Sequence, residues 1–185
     1  MTYTLNRAEV RDCGGIHLLL EKNLRSNVSE PEQQSEGFVS VDYTPLLERI
    51  ITEEGIIIAQ DAGEIIGYTL PLTKEKAEEL PLLHPLLARL NSSEYKGKRV
   101  SEHNFVFAGQ ICVAKNRRKE DIPRKLYERL TAHLAPRYDV MVTEIAAENA
   151  RSLHVATAKL GLHIIDTYEA EGRKWHILAQ DLTPA

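Results

Sequence analysis

The stretch Val113–Leu130, VAKNRRKEDIPRKLYERL, decides how the rest of the chain is read. It joins the end of a strand-like run, a basic turn and an amphipathic helix. Ile122, Leu126, Leu130 and Leu134 recur every fourth residue, so they share one helix face. A strand that feeds a helix through a turn often holds a phosphate, because the helix N-terminus presents unpaired N–H groups and the positive end of its dipole. Here the turn departs from that chemistry. It has no glycine, Glu120 and Asp121 bring carboxylates to where an anion would sit, and Pro123 deletes a backbone donor. Arg117, Arg118, Lys119, Arg124 and Lys125 oppose them with positive charge.

Upstream, NFVFAGQICVA (104–114) is the strongest strand, with Phe105, Phe107, Ile111 and Val113 alternating and Gly109 marking a bulge or close approach. IIIAQDAGEIIGYTL (56–70) reads as a hairpin turning at Asp61-Ala62-Gly63. TYTLNRA (2–8) is a short first strand. Residues 8–24 read as a helix with Val10, Ile16, Leu19, Leu20 and Leu24 towards one face, weakened at Gly14-Gly15. RSNVSEPEQQSEGFVSVDY (25–43) reads as a long acidic loop, and Thr44-Pro45 opens a second helix with Thr44 as N-cap. Residues 71–103 read as an insertion: short helices broken by Pro81 and Pro85, then NSSEYKGKRV (91–100) as a loop.

Downstream, DVMVTEIA (139–146) is a strand, and 149–160 a helix ended by Gly161. LHIIDTY (162–168) and WHILAQDL (175–182) form an antiparallel pair around EAEGRK. The order β-α-α-β-β-(insert)-β-α-β-α-β-β implies an α/β fold: a mixed central sheet flanked by helices, with a helical insertion before the fourth strand. The 185 residues suit one domain.

A net charge of −4 disfavours a nucleic-acid surface. Two cysteines, Cys13 and Cys112, make no disulfide framework and suit a reducing cytoplasm. MTYTLNRAEV lacks the apolar core of a signal peptide, and no apolar run approaches the roughly 18 residues of a membrane span. The histidines lack zinc-site spacing, so no metal is expected, and neither a P-loop nor a Rossmann turn is present.

GQICVAKNRRKEDIPRKLYERL (109–130) resembles the acyl-CoA motif of the GNAT N-acetyltransferase superfamily: a strand, then Gln/Arg-x-x-Gly-x-Gly/Ala, then a helix. TEIAAENARSLHVATAKLGLHII (143–165) resembles the motif that follows it. NLRSNVSEPEQQSEGFVSVDY (23–43) and YKGKRVSEHNFVFAGQICV (95–113) are similar to a bacterial branch of that superfamily. The resemblance implies a GNAT fold, acetyl-CoA as co-substrate and an amine acceptor, small molecule or peptide. It gives pairing with the pantetheine arm to Ile111, Cys112 and Val113. The diphosphate falls to the turn of Arg118, Lys119, Asp121, Ile122, Pro123 and Arg124, where Asp121 and Pro123 replace the motif's small residues. Asn149 would bond the pantetheine amide, with Ser152 a weaker match.

Glu144, five residues before Asn149, matches the base of ribosomal-protein acetyltransferases in the superfamily. The usual tyrosine acid is missing. Counting back from Gly161 gives Thr157 and counting forward from Asn149 gives Ala156, because the spacing is one residue longer than usual. His154, one turn earlier, is the substitute. The same departures also fit a GNAT-fold binding or regulatory protein with a degraded acetyl-CoA site. A third reading makes the insertion an interaction surface, such as a homodimer contact.

Overall fold

The computed structural model describes residues 3–182. A seven-stranded mixed sheet runs in the order β1-β2-β3-β6-β7-β9-β8. Its strands are β1 (Thr4–Arg7), β2 (Ile57–Asp61), β3 (Glu64–Leu72), β6 (Phe105–Val113), β7 (Val140–Ala146), β8 (His163–Ala170) and β9 (Arg173–Asp181). Helices α1 (Cys13–Glu21), α2 (Glu30–Glu36), α3 (Leu47–Glu53), α6 (Ile122–Leu134) and α7 (Ala150–His154) accompany it. The insertion carries α4 (Lys74–Glu78), α5 (His84–Leu90), β4 (Glu94–Tyr95) and β5 (Lys98–Arg99). By its contacts the chain divides into two compact units, Met1–Pro71 with Gly109–Thr131, and Leu72–Ala108 with Ala132–Ala185.

In the first unit, β1 and β3 flank β2 in antiparallel register. The β2–β3 turn holds Ala62 at φ 48° and Gly63 at φ 84°, the doubly left-handed geometry of a two-residue hairpin. β3 is buried from Ile65 to Leu72, so it reads as a continuous apolar run and not an alternating one. Ile16, Leu20, Tyr43, Ile50, Ile56, Ile58, Tyr68, Leu70 and Ile122 are among the unit's fully buried large side chains. Gly67 lets α6 sit close: a Cβ there would meet Ile122 Cγ2 at 3.1 Å and Leu126 Cδ1 at 3.2 Å.

The second unit is built on β9, which pairs antiparallel with β7 on one side and with β8 on the other. β6 joins β7 in parallel through Phe105–Phe107 against Val140–Val142. Leu72, Leu86, Leu90, Val100, Met141, Val142, Ile177 and Leu178 are almost wholly inaccessible here. Burying each such side chain stabilises the fold by about 1.5–3 kcal/mol.

The predicted α6 stripe is borne out, with Ile122, Leu126, Leu130 and Leu134 all at 0% exposure. Other expectations need correction. The helix over 8–24 opens as a 3₁₀ turn at Val10–Asp12 and ends at Glu21, and Val10 lies exposed. The acidic loop contains α2, because Ser29 and Glu32 form a capping box and Pro31 sits in the first turn, where its missing N–H does no harm. Tyr43, not Thr44, precedes the next helical turn, and the Thr44 hydroxyl contacts His17 Nδ1 at 2.8 Å instead. Pro85 occupies the first turn of α5 and does not break it. NSSEYKGKRV is a small hairpin, β4–β5, turning on Lys96 at φ 50° and Gly97 at φ 78°. The helix after Asn149 widens into a π turn over Val155–Lys159, and Leu160 N bonds Val155 O at 3.1 Å. A π turn holds one extra residue, which takes up the long spacing between Asn149 and Gly161.

Candidate active site

In the first unit, the turn after β6 is already populated by the chain's own charges. Arg117, half-buried, is held by Glu120 and by Asp61 on the β2–β3 hairpin. Those partners raise its pKa further above the ordinary guanidinium value. Arg118 folds back onto the strand. Its Nε donates to Val113 O at 3.2 Å and its Nη2 to Asn23 Oδ1 at 2.5 Å. Asn23 is buried and anchored in turn through its Nδ2 to Leu19 O at 2.8 Å. Lys115 donates to Glu32 Oε1 at 2.7 Å, and this partner with Ser29 lowers the Glu32 pKa to about 2.

Asp121 stands just before α6, its carbonyl accepting from Lys125 N at 3.2 Å. Its carboxylate accepts from Arg124 Nε at 2.7 Å, while Arg124 also reaches Glu128. Pro123 occupies the second helical position and offers no N–H. Ile122 is buried and packs the helix start onto the sheet. Lys119 is exposed, as are Asp121 and Arg124.

These residues suit an acyl-CoA diphosphate in part. α6 is 13 residues long and brings a helix dipole. Exposed ion pairs such as Arg124–Asp121 are worth only about 0–1 kcal/mol, so an anion can compete for Arg124 at little cost. Arg117 is less available, because two carboxylates share it.

On β6, Ile111 is half-buried, whereas Cys112 and Val113 are buried. Burial pushes the Cys112 thiol up to about 12, which makes it a packing residue and not a nucleophile. The strand is fixed from the side by hydrogen bonds that the sequence did not disclose. Tyr43 Oη donates to Gly109 O at 3.1 Å, Thr69 Oγ1 to Gln110 O at 3.2 Å and Gln110 Nε2 to Val41 O at 3.0 Å.

In the second unit, Glu144 lies on β7 and is half-buried. Among the described residues its bonded partner is Tyr168 on β8, whose phenol donates to Glu144 Oε2. Burial raises the Glu144 pKa to about 7, and the hydrogen bond from Tyr168 pulls against that rise. The phenol is itself pushed above its ordinary value by burial and by the Glu144 carboxylate.

Asn149 is buried and caps α7, its side chain accepting from Ser152 N at 3.3 Å. His154 is exposed on α7. Ala156 is buried and Thr157 is exposed, its hydroxyl bonded to Leu153 O at 2.8 Å, so neither counting position supplies a proton donor like the missing tyrosine. Sequence reasoning missed Tyr168, and it missed a latch beside it. Asp166 accepts from Arg89 Nε at 2.8 Å and Nη2 at 2.9 Å, and from Ser93, which ties the insertion to β8.

Among the described residues, no group of His, Cys, Asp and Glu is placed to hold a metal ion. No helix among them is long and apolar enough to cross a membrane.

No protein-family model matches the sequence, and no curated protein matches it. Solved structures do match along nearly the whole chain. Agmatine N-acetyltransferase aligns over 97% of this chain and 99% of its own, with TM-score 0.68 and 13% identity. The NatC complex bound to Gag peptide and CoA contains a chain aligning over 99% of this one and 100% of its own, with TM-score 0.64 and 16% identity. The ribosomal-protein-S18-alanine N-acetyltransferase from Escherichia coli aligns over 100% of this chain and 96% of its own, with TM-score 0.58 and 14% identity. The chain therefore has the mixed α/β fold of the GNAT N-acetyltransferases.

Proposed function

We propose that this chain is an acyl-CoA-dependent N-acetyltransferase, acting as one domain, that moves an acetyl group directly to a primary amine of a small molecule or peptide. Glu144 carries the reading. A carboxyl whose pKa sits at about 7 is matched to accepting a proton near neutrality, whereas an ordinary glutamate is too weak a base. Glu144 takes the proton from the incoming ammonium. The freed amine then attacks the thioester carbonyl, polarised by backbone N–H groups around Ile111–Val113. The C–S bond breaks and the thiolate takes a proton, for which His154 is the candidate donor, while the nitrogen of the new amide gives up its remaining extra proton in return. Lys119 and Arg124, with the start of α6, draw the diphosphate, and Asn149 with Ser152 serves the pantetheine arm.

A second reading has a specific observation behind it. Arg117 and Arg118 are engaged within the chain, and Pro123 removes an N–H, as in a GNAT-fold binding protein with a weak acetyl-CoA site. The test is CoA-thiol release from acetyl-CoA across a panel of amines and N-terminal peptides, for the native chain and Glu144→Gln. Acceptor-dependent release that falls 100-fold or more, on the order expected of a lost general base, supports the enzyme. Absence of release with every acceptor favours the binding protein.

A further inference from the structure

The register of β8 against β9 changes partway along. His163 pairs with Ala179 and Ile164 with Leu178, but Asp166 then pairs with Ile177, leaving Ile165 as an extra residue. Side chains alternate faces along a strand, so one extra residue moves everything after it to the other face. Beyond the bulge, Asp166 pairs with Ile177 and Tyr168 with Trp175, while across β9 Ile177 pairs with Glu144 and Trp175 with Ala146. Glu144, Asp166 and Tyr168 thus share one face. Were Ile165 instead paired with Ile177 in regular register, Tyr168 would sit opposite Lys174 and face the other side.

We infer that the β8 bulge aims Tyr168 at Glu144 and that Tyr168 is the positioning residue for this carboxyl. A phenol donating to the carboxylate fixes its rotamer and favours the ionised, proton-accepting form against the pull of burial. The latch serves the same end, because Asp166 pins β8 two residues before Tyr168. The surroundings leave this role to Tyr168. From β9 the residue opposite Glu144 is the uncharged Ile177. Asp166, on the same face, has its charge answered by Arg89. Thr167 and His176 face the other side and bond each other at 2.8 Å.

The inference rests on Glu144 as base, so the experiment titrates the carboxyl directly and needs no acceptor. Carboxyl-13C-glutamate NMR, with Glu144→Gln to assign the signal, gives the midpoint. In Tyr168→Phe it moves up by about one pH unit, the size of a lost hydrogen bond to a charged group. Uniform 3-fluorotyrosine keeps the tyrosine shape and strengthens its donation, so the midpoint moves down. Should Tyr168→Phe not fold, the fluorinated protein decides alone. A midpoint that ignores both changes overturns the positioning role. If an acceptor is found, the acid limb of the rate profile follows the same two shifts. If none is found, the titration still stands, and only the acetyltransferase reading falls.

Discussion

The turn before α6 and the Glu144 carboxyl are both polar sites, but they are satisfied in opposite ways. At the turn every carboxylate has a cation within reach, as Arg117 with Glu120 and Asp61, and Arg124 with Asp121 and Glu128 show. At Glu144 a half-buried carboxyl has a phenol as its bonded partner, and its pKa rises to about 7. A paired network has little left to offer a ligand until a pair opens. A partly desolvated acid held short of full compensation is poised to change its charge, which is what proton transfer requires. Of the two, the second unit carries the stronger functional signal, although the sequence motif drew attention to the first.

The largest effect that would break this contrast is at Glu144. Its neutral form is favoured by the fold, so its contribution to stability is full below the ordinary glutamate value of 4.5 and is lost as pH rises through about 7. Glu144→Gln stays neutral. It should therefore be more stable than the native chain at pH 8 by about 2 kcal/mol, and no more stable at pH 4, by denaturant melts at both pH values. Equal stability at pH 8 would mean that the carboxyl is solvated.

Next in size is the turn. Asp121→Gly with Pro123→Gly restores a donor and removes a carboxylate, and acetyl-CoA affinity should rise about tenfold, a gain of about 1.4 kcal/mol by calorimetry. Smaller still, Glu120→Gln releases Arg117 from one partner and should strengthen binding a few-fold at low salt. That gain should fade at high salt, since exposed charges more than about 8–10 Å apart are screened near physiological ionic strength. The smallest effect is at the latch. Arg89, Ser93 and the Thr167 N–H hold the Asp166 pKa down at about 2, so its pairing stabilises above the ordinary aspartate value and is lost as pH falls through 2. Asp166→Asn should lower the thermal midpoint slightly at pH 7, with no difference in the most acid melts.

Much of the fold was legible because its elements bury whole faces. The four-residue rhythm of α6 and the paired β-branched runs of β2 and β3 announce themselves through the residues they hide. α2 was masked by polarity, although Ser29 and Glu32 spell its capping box. The β4–β5 hairpin turns on Lys96-Gly97, a weaker left-handed signal than Asn-Gly. At the candidate site, Glu144 and Asn149 were singled out by their resemblance to a family motif. Tyr168 could not be, because strand alternation places it on the wrong face unless the extra Ile165 is known. Nor could Asn23 be linked to Arg118, or Asp166 to Arg89, since both contacts join residues far apart in the chain.

The central claim is that a chain with this turn still takes acetyl-CoA. Calorimetric titration of the purified protein at moderate salt tests it most directly. A Kd in the micromolar range, about −8 kcal/mol, that tightens as salt is lowered is the expected result. No heat, and no thermal stabilisation at millimolar acetyl-CoA, would contradict it and leave the turn as a helix start closed by its own charges.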